Sequence, residues 1–240
     1  MKILALESSA KAASCAVVED GAVLASAWQA TGLTHSRTLL PMAEAMLRNS
    51  ELSVGDMDAF AVAAGPGSFT GLRIGIAAVK GLAWAAEKPC IPVSTLEAMA
   101  WPLAHLEGNI VCAMDARRQQ IYNAVFLAAG GELTRLRGDR AISLEEAAAD
   151  LASIDGPMYI VGDGAQLCFD FLQEKGIACR LAPFHLRLQS AAGVGLAAYR
   201  LWPDGAVSAQ DLTPVYLRLS QAERERAARS AAKEVEAAQT

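Results

Sequence analysis

Few residues suited to chemistry stand where chemistry would need them. The three histidines, His35, His105 and His185, lie far apart, and none has a partner at metal-ligand spacing. The five cysteines, Cys15, Cys90, Cys112, Cys168 and Cys179, are odd in number, form no Cys-x-x-Cys pair and sit in or beside apolar runs. That usage indicates buried free thiols in a reducing compartment, not a disulfide or zinc framework. No Gly-x-Ser-x-Gly elbow is present, so no activated serine is indicated. A basic surplus is missing as well: net charge is −5 and the pI is 5.3. Unaided binding of tRNA or DNA is therefore disfavoured, because phosphate contacts supply most of such affinity. No apolar run reaches the ~20 residues of a membrane span, and the chain enters its first strand without a basic n-region. The expectation is a cytoplasmic chain with no membrane association.

What the sequence does have is apolar residues, at 53% of the chain with a mean hydropathy of +0.25, enough for a well-filled core and some apolar surface besides. Their pattern is duplicated. Ile3 to Glu7 reads as a strand, and Ser14 to Val18 and Val23 to Trp28 as a hairpin around Glu19-Asp20-Gly21. A helix follows over Ser36 to Asn49, capped by Thr34 or His35, then a strand from Ala59 to Ala64, a helix from Leu72 to Ala86, a short strand from Ile91 to Val93, and a helix capped by Ser94 or Thr95 through Ala104. The second half repeats the order. Strands are expected at Ile110 to Met114, Ile121 to Leu127 and Leu133 to Arg137, then a helix capped by Ser143, a strand at Met158 to Val161, a helix from Ala165 to Lys175, a weak strand at Ala178 to Leu181 and a helix from about Ser190 to Leu201. The result is βββαβαβα twice, offset by about 108 residues (Glu7 to Asp115). The fold class is α/β: two lobes, 1–106 and 107–218, each a mixed sheet flanked by helices, with the final segment free to return to the first lobe. A charged, alanine-rich tail covers 219–240.

The glycine-rich turn Gly65-Pro66-Gly67-Ser68-Phe69-Thr70-Gly71 leads into a helix with hardly any charge. Along it Gly71 and Gly75 are four apart, as are Ala77, Gly81 and Ala85, so two seams without bulk run down its faces. Glycine inside a helix costs roughly 0.5–1 kcal/mol against alanine. A second helix packed on a seam is the compensation expected. The preceding helix has a core-type stripe of Leu39, Leu40, Ala43, Met46 and Leu47, with Met42 and Ala45 widening it. Packing of these helices with a copy from another subunit is favoured over burial within their own lobe.

Phosphate-binding readings fare less well. The glycine spacing fits neither the dinucleotide fingerprint nor the Walker pattern, although a strand-to-helix turn remains a natural anion site. Acids that open each half, Glu7 and Asp115, are followed by turns with no glycine to close on a phosphate. Only Gly162-Asp163-Gly164 resembles the adenosine-side turn of two-lobed ATPases of the actin, hexokinase and Hsp70 type.

Several segments together resemble the TsaB (YeaZ) family of bacterial tRNA threonylcarbamoyladenosine biosynthesis proteins. They are Leu4-Ala5-Leu6-Glu7-Ser8-Ser9, His35-Ser36 with Leu39-Leu40-Pro41, Gly65 to Gly75, Lys80-Gly81-Leu82-Ala83, Val93 to Ala98, Met114-Asp115-Ala116-Arg117 and Pro214-Val215-Tyr216-Leu217-Arg218. The resemblance runs to about Arg218. It implies an actin/Hsp70-like (ASKHA) fold and a noncatalytic partner of the transferase TsaD, acting with the ATPase TsaE, meeting tRNA only through the complex and forming a homodimer when alone. Thr95 and Met99 stand where TsaD carries a metal-binding histidine pair, so no metal is expected. The partner interface implied comprises Leu39, Met42 and Met46 of the first helix and Gly71, Leu72, Arg73, Gly75, Ile76, Val79 and Lys80 of the second. No cofactor is required, and weak ATP or ADP binding at the lobe or subunit interface is left open, with Glu7, Ser8, Asp115, Gly162 and Gly164 as its residues. The alternatives are an ATP-dependent phosphotransferase or hydrolase using Glu7 and Asp115, and, more weakly, a peptidase.

Overall fold

An uninterrupted apolar strand is stable only when covered on both faces, and β1 (Lys2–Glu7) is buried from Ile3 to Glu7. In the computed structural model, which describes residues 1–218, β1 pairs antiparallel with β2 (Ala13–Glu19), from Lys2 opposite Glu19 to Glu7 opposite Ser14. Strand β3 (Ala22–Gln29) closes the hairpin on one edge. On the other side β4 (Ala59–Gly65) and β5 (Cys90–Ser94) are parallel, giving the order β3-β2-β1-β4-β5. The second sheet repeats the plan with β6 (Gly108–Asp115), β7 (Gln120–Ala129), β8 (Glu132–Ser143), β9 (Met158–Val161) and β10 (Arg180–Leu181), in the order β10-β9-β6-β7-β8.

Helices α1 (His35–Asn49) and α2 (Phe69–Ala86) lie on one face of the first sheet, where Leu39, Met46, Ile76 and Val79 meet Leu4, Leu6, Val17 and Phe60. Its other face is covered from the far half of the chain. Helix α7 (Ala191–Leu201) sets Val194, Ala197 and Ala198 against Ile3, Ala5, Ala16 and Ala61. The reverse exchange also occurs: α3 (Thr95–Ala100), which follows the first sheet, packs Leu96, Met99 and Ala100 against Ile110, Cys112 and Phe126 of the second. The two helices cross where Gly193 lies so near the Ala98 carbonyl that a side chain would collide with it. The second sheet's remaining face is closed by α4 (Leu144–Leu151) and α5 (Ala165–Glu174). A one-turn helix, α6 (Phe184–Arg187), leads on toward α7.

Residues 207–218 then strap the first lobe. Cys90 and Val207 exchange backbone hydrogen bonds, the Val215 N–H donates to the Ala64 carbonyl, and the Tyr216 ring stacks on Phe69 at 3.9 Å. Arg73 Nε donates to Tyr216 Oη and Lys80 Nζ to the Gln210 carbonyl, each against this strap. Among the described residues no helix is long and apolar enough to cross a membrane.

The element order matches the duplicated pattern, with local differences. Helix α2 starts at Phe69 because Ser68 is its cap, accepting from the Gly71 N–H. Helix α3 stops at Ala100, and Trp101–Leu103, with Pro102 inside, continue as a tighter turn. Strand β8 runs on to Ser143 although Arg137, Asp139 and Arg140 interrupt its apolar residues. Asp150 pairs with both Arg137 and Arg140, and Arg140 also donates to Asn123, so these charges find partners. The expectation for 219–240 lies outside the described residues.

Candidate functional site: an interlobe cleft and a helical face

Between the lobes a cleft of about 490 Å³ is lined by Ser9, Lys11, Gly67 to Thr70, Asp115, Arg117, Asp163 and Arg218, among others. The ends of β1, β6 and β9 and the start of α2 all open onto it, because parallel strands direct their carboxyl ends and the following turns to one edge of a sheet. Glu7 closes β1 and is fully buried. One of its oxygens accepts the Ser9 N–H, and the other has no partner among the described residues. Burial pushes its carboxyl up to about 7; Ser9 pulls the other way, and Asp163 across the cleft adds a smaller upward push. Asp163 is itself raised, chiefly by burial, while its bond from Gln189 Nε2 works against that. Asp115 is exposed and turns back to accept the Arg117 N–H at 2.7 Å.

The residues expected to touch nucleotide are differently employed. Ser8 is buried and donates to the Gly71 carbonyl at 2.9 Å. Gly162 and Gly164 press against the backbone at the end of β6, with a Cβ on Gly164 only 2.6 Å from the Asp115 nitrogen. These glycines let the β9–α5 turn dock on its own sheet. Glu7 is enclosed, so of the expected set only Asp115 lines the cleft. Sequence reasoning missed Ser9, Lys11, Ser68, Thr70, Arg117 and Arg218, which converge from four separate segments; the strand-to-helix turn at Ser68 was the one signal available.

The helical face also differs in detail from the expected one. Leu39, Met46, Leu72, Ile76 and Val79 are buried in the core of their own lobe, and Gly71 and Gly75 are buried too. The Gly71–Gly75 seam is covered by this chain's own β1–β2 turn: a Cβ on Gly75 would lie 2.5 Å from Ser8 Oγ, and one on Gly71 would strike the Ser8 carbonyl. Met42 is half-buried in a groove between α1 and β3. Arg73 and Lys80 are engaged with the strap. The seam left open is the second one, with Ala77, Gly81 and Ala85 exposed beside Trp84, which is 73% exposed. Among the described residues a Cβ added at Gly81 meets nothing within 4 Å. Nearby, Leu40 (46% exposed), Pro41, Leu47, Leu52 and Leu82 line an apolar groove of about 580 Å³.

Among the described residues no group of three or more His, Cys, Asp or Glu is placed to hold a metal. Thr95 and Met99 are buried in α3. Burial raises the thiols of Cys15, Cys90, Cys112 and Cys168, the last to about 12, which leaves them protonated and poor nucleophiles.

Comparison with known proteins fits this architecture. The family model described as "TsaD: tRNA N6-adenosine threonylcarbamoyltransferase" matches residues 29–232. The "tRNA threonylcarbamoyladenosine biosynthesis protein TsaB" of Bacillus subtilis (strain 168) is 30% identical over 227 residues, 93% of this chain and 96% of its own. Its Escherichia coli (strain K12) counterpart is 33% identical over 222 residues, covering 91% and 95%. The chain belongs to the TsaB family. A solved structure of YeaZ from Pseudomonas aeruginosa superposes with a TM-score of 0.77 at 28% identity, over 90% of this chain and 99% of that one. Component A of (R)-2-hydroxyglutaryl-CoA dehydratase from Acidaminococcus fermentans shares the fold alone, with a TM-score of 0.51 at 14% identity. The duplicated two-sheet arrangement is thus shared with the solved YeaZ structure, and the stretch matched by the family model takes in the α1–α2 face, while Ser9 and Lys11 of the cleft precede it.

Proposed function

We propose that this chain is a noncatalytic partner subunit in tRNA threonylcarbamoyladenosine biosynthesis, acting in the cytoplasm by docking on the transferase TsaD. Membership in the TsaB family supports the pathway. The observation that carries the docking reading is the open seam of α2, where Ala77, Gly81, Trp84 and Ala85 face solvent without a charge among them. Glycine there allows close helix approach, and an exposed tryptophan beside it has the character of an interface anchor. The groove beside Leu40 and Leu82 extends the same surface. With no such partner present, a second copy of the chain would cover that face in a two-fold dimer. TsaE and tRNA would be met through the assembled complex, which suits a net charge of −5. The noncatalytic assignment is supported by the enclosure of Glu7 and, among the described residues, the burial of the Cys15, Cys90, Cys112 and Cys168 thiols, which could otherwise serve as nucleophiles. The subunit needs no cofactor of its own in this reading.

The test uses Gly81→Leu. Leucine at an unobstructed helix position should raise the stability of the isolated chain by up to ~1 kcal/mol through helix propensity, while its bulk blocks a close helix–helix contact. Size-exclusion with light scattering should show a complex of the wild-type chain with TsaD, and none with the variant. A normal complex with Gly81→Leu would remove α2's open seam from the interface. Gly75→Leu is unsuitable, because its clash with Ser8 damages the fold itself.

A further inference from the structure

Four strands form the edges of the two sheets, and three of those edges are guarded. Strand β8 carries Arg135, Arg137, Asp139 and Arg140, β10 is very short, and β5 contains Pro92 and is bonded through Cys90 to Val207. Charge, brevity, proline and cover are the ordinary means by which a sheet edge is kept from pairing with another chain. Strand β3 has none of them. Ala22–Gln29 contains neither a charge nor a proline, and among the described residues its backbone makes no hydrogen bond to another backbone beyond the ladder to β2. A bulge opposite Val17 and Val18 leaves Leu24 unpaired and blunts the start of the strand, but Ala25–Gln29 is regular. In a regular edge every second residue turns its N–H and C=O away from the sheet.

The surroundings of this run are uncharged as well. On the α1 side a groove of about 370 Å³ lies along it, lined by Ala25, Ala27, Met42, Ala45 and Met46 among others, with no charged residue in its lining. Methionine side chains adapt to irregular contacts. On the opposite face Trp28 is 46% exposed, its Nε1 donating to the Gln189 carbonyl at 3.1 Å, and Leu24 at the bulge is 52% exposed. A strand added here would therefore find open hydrogen-bonding groups along its length and apolar surface on both sides.

Charge decides which strand. A two-fold pairing sets each residue of a strand against the same few residues of its copy, so any charge is met by a like charge, which is destabilising. The chain is uncharged from Gly21 to Thr34, and β3 escapes that penalty. We propose that two copies of this chain pair antiparallel through Ala25–Gln29 about a two-fold axis, joining their first sheets into one continuous sheet. The contact is separate from the α2 seam, since no residue of α2 lines β3's groove. It does not rest on the docking reading, and it leaves α2 free for a different partner.

Sedimentation velocity from micromolar to hundreds of micromolar concentrations, combined with amide hydrogen exchange, tests this on the full chain. Gly81→Leu, which blocks the α2 seam, should still dimerise. Adding Leu24→Lys and Ser26→Lys to that variant should weaken the dimer about tenfold or more, because lysines along an edge oppose one another across the axis. Both positions are exposed, so the melting curve of Gly81→Leu should be unchanged by them. Amides within Ala25–Gln29 of Gly81→Leu should gain protection as concentration rises, while those of β8 should not. A Gly81→Leu chain that stays monomeric throughout would overturn the proposal. So would a dimer indifferent to the two lysines, or one that forms without added protection in β3. Normal TsaD capture by Gly81→Leu would count against the docking reading alone, so the two fail separately.

Discussion

Glu7 is an ionisable carboxyl set where water does not reach it. Its carboxyl is fully buried at the end of β1, and burial raises it from an ordinary value of 4.5 to about 7. An acid raised in the folded state keeps its proton longer there than in the unfolded chain. Stability from this group is therefore greatest below about 4.5, falls as pH rises from 4.5 toward 7, and is level above that. Asp163 is shifted in the same direction and adds a slope of the same sign. Glu7→Gln holds the neutral form at every pH and should stabilise the chain at about pH 8 by up to ~3 kcal/mol, with little gain at about pH 4. Urea denaturation at the two pH values measures this. If the variant loses as much stability on alkalinisation as wild type does, the buried carboxyl is not the cause. None of this was legible beforehand: the sequence places an acid at the end of an apolar strand, but whether it faces water or core depends on how the Ser8–Ser9 turn folds over it.

At the scale of elements, capping and periodicity were readable because they are local. Ser143 with Glu146 three residues on makes a reciprocal cap, and α4 begins directly after it. Met158–Val161 was readable because a short apolar run bounded by Gly156-Pro157 and Gly162 admits little else. What covers a helix is not local. The spacing of Gly71, Gly75, Ala77 and Gly81 marked two faces without bulk, and only the tertiary structure shows Ser8 on one and solvent on the other. Helix α7 poses the same problem, since Gly193 and Gly195 gave no sign of their neighbours. Both are crossing points: Gly193 meets the Ala98 carbonyl of α3, and a Cβ on Gly195 would collide with Val18 of β2. Gly193→Ala adds helix propensity of about 1 kcal/mol, yet it forces α7 away from α3 backbone that cannot yield as a side chain would. Net destabilisation of ~1–3 kcal/mol is expected, read as a lower denaturant midpoint at unchanged m-value. A variant as stable as wild type would mean that the α3–α7 crossing is loose.

On the scale of the whole molecule, the duplication visible in the sequence divides the strands cleanly but misleads about the helices. Strands 2–94 make one sheet and strands 108–181 the other, as the repeated βββαβαβα order implies. Yet each half sends its last helix to the other half's sheet. Residues 1–106 taken alone would expose the face formed by Ile3, Ala5, Ala16 and Ala61, which α7 covers, and would leave Leu96, Met99 and Leu103 without the second sheet. The strap that bonds to Cys90 and Ala64 would be missing too. A sheet with one face bare lacks the burial that offsets its chain entropy, at roughly 25 cal/mol per Å² of apolar surface. The expectation is that residues 1–106 show no cooperative unfolding transition, whereas 1–106 and 107–218 expressed together reassemble and regain one. Circular dichroism against urea distinguishes these outcomes. A sigmoidal transition for 1–106 alone, with an m-value appropriate to its size, would show that the first sheet does not depend on α7. The exchange also bears on the cleft, because its walls come from both halves and the segments joining them, Gln189 to Ala191, are anchored in each. Gln189 Nε2 reaches Asp163, while the Ala191 N–H donates to Ser14 Oγ at 2.8 Å. A displacement of one lobe against the other would therefore strain this connector or the α3–α7 crossing, the same packing that holds the two halves together.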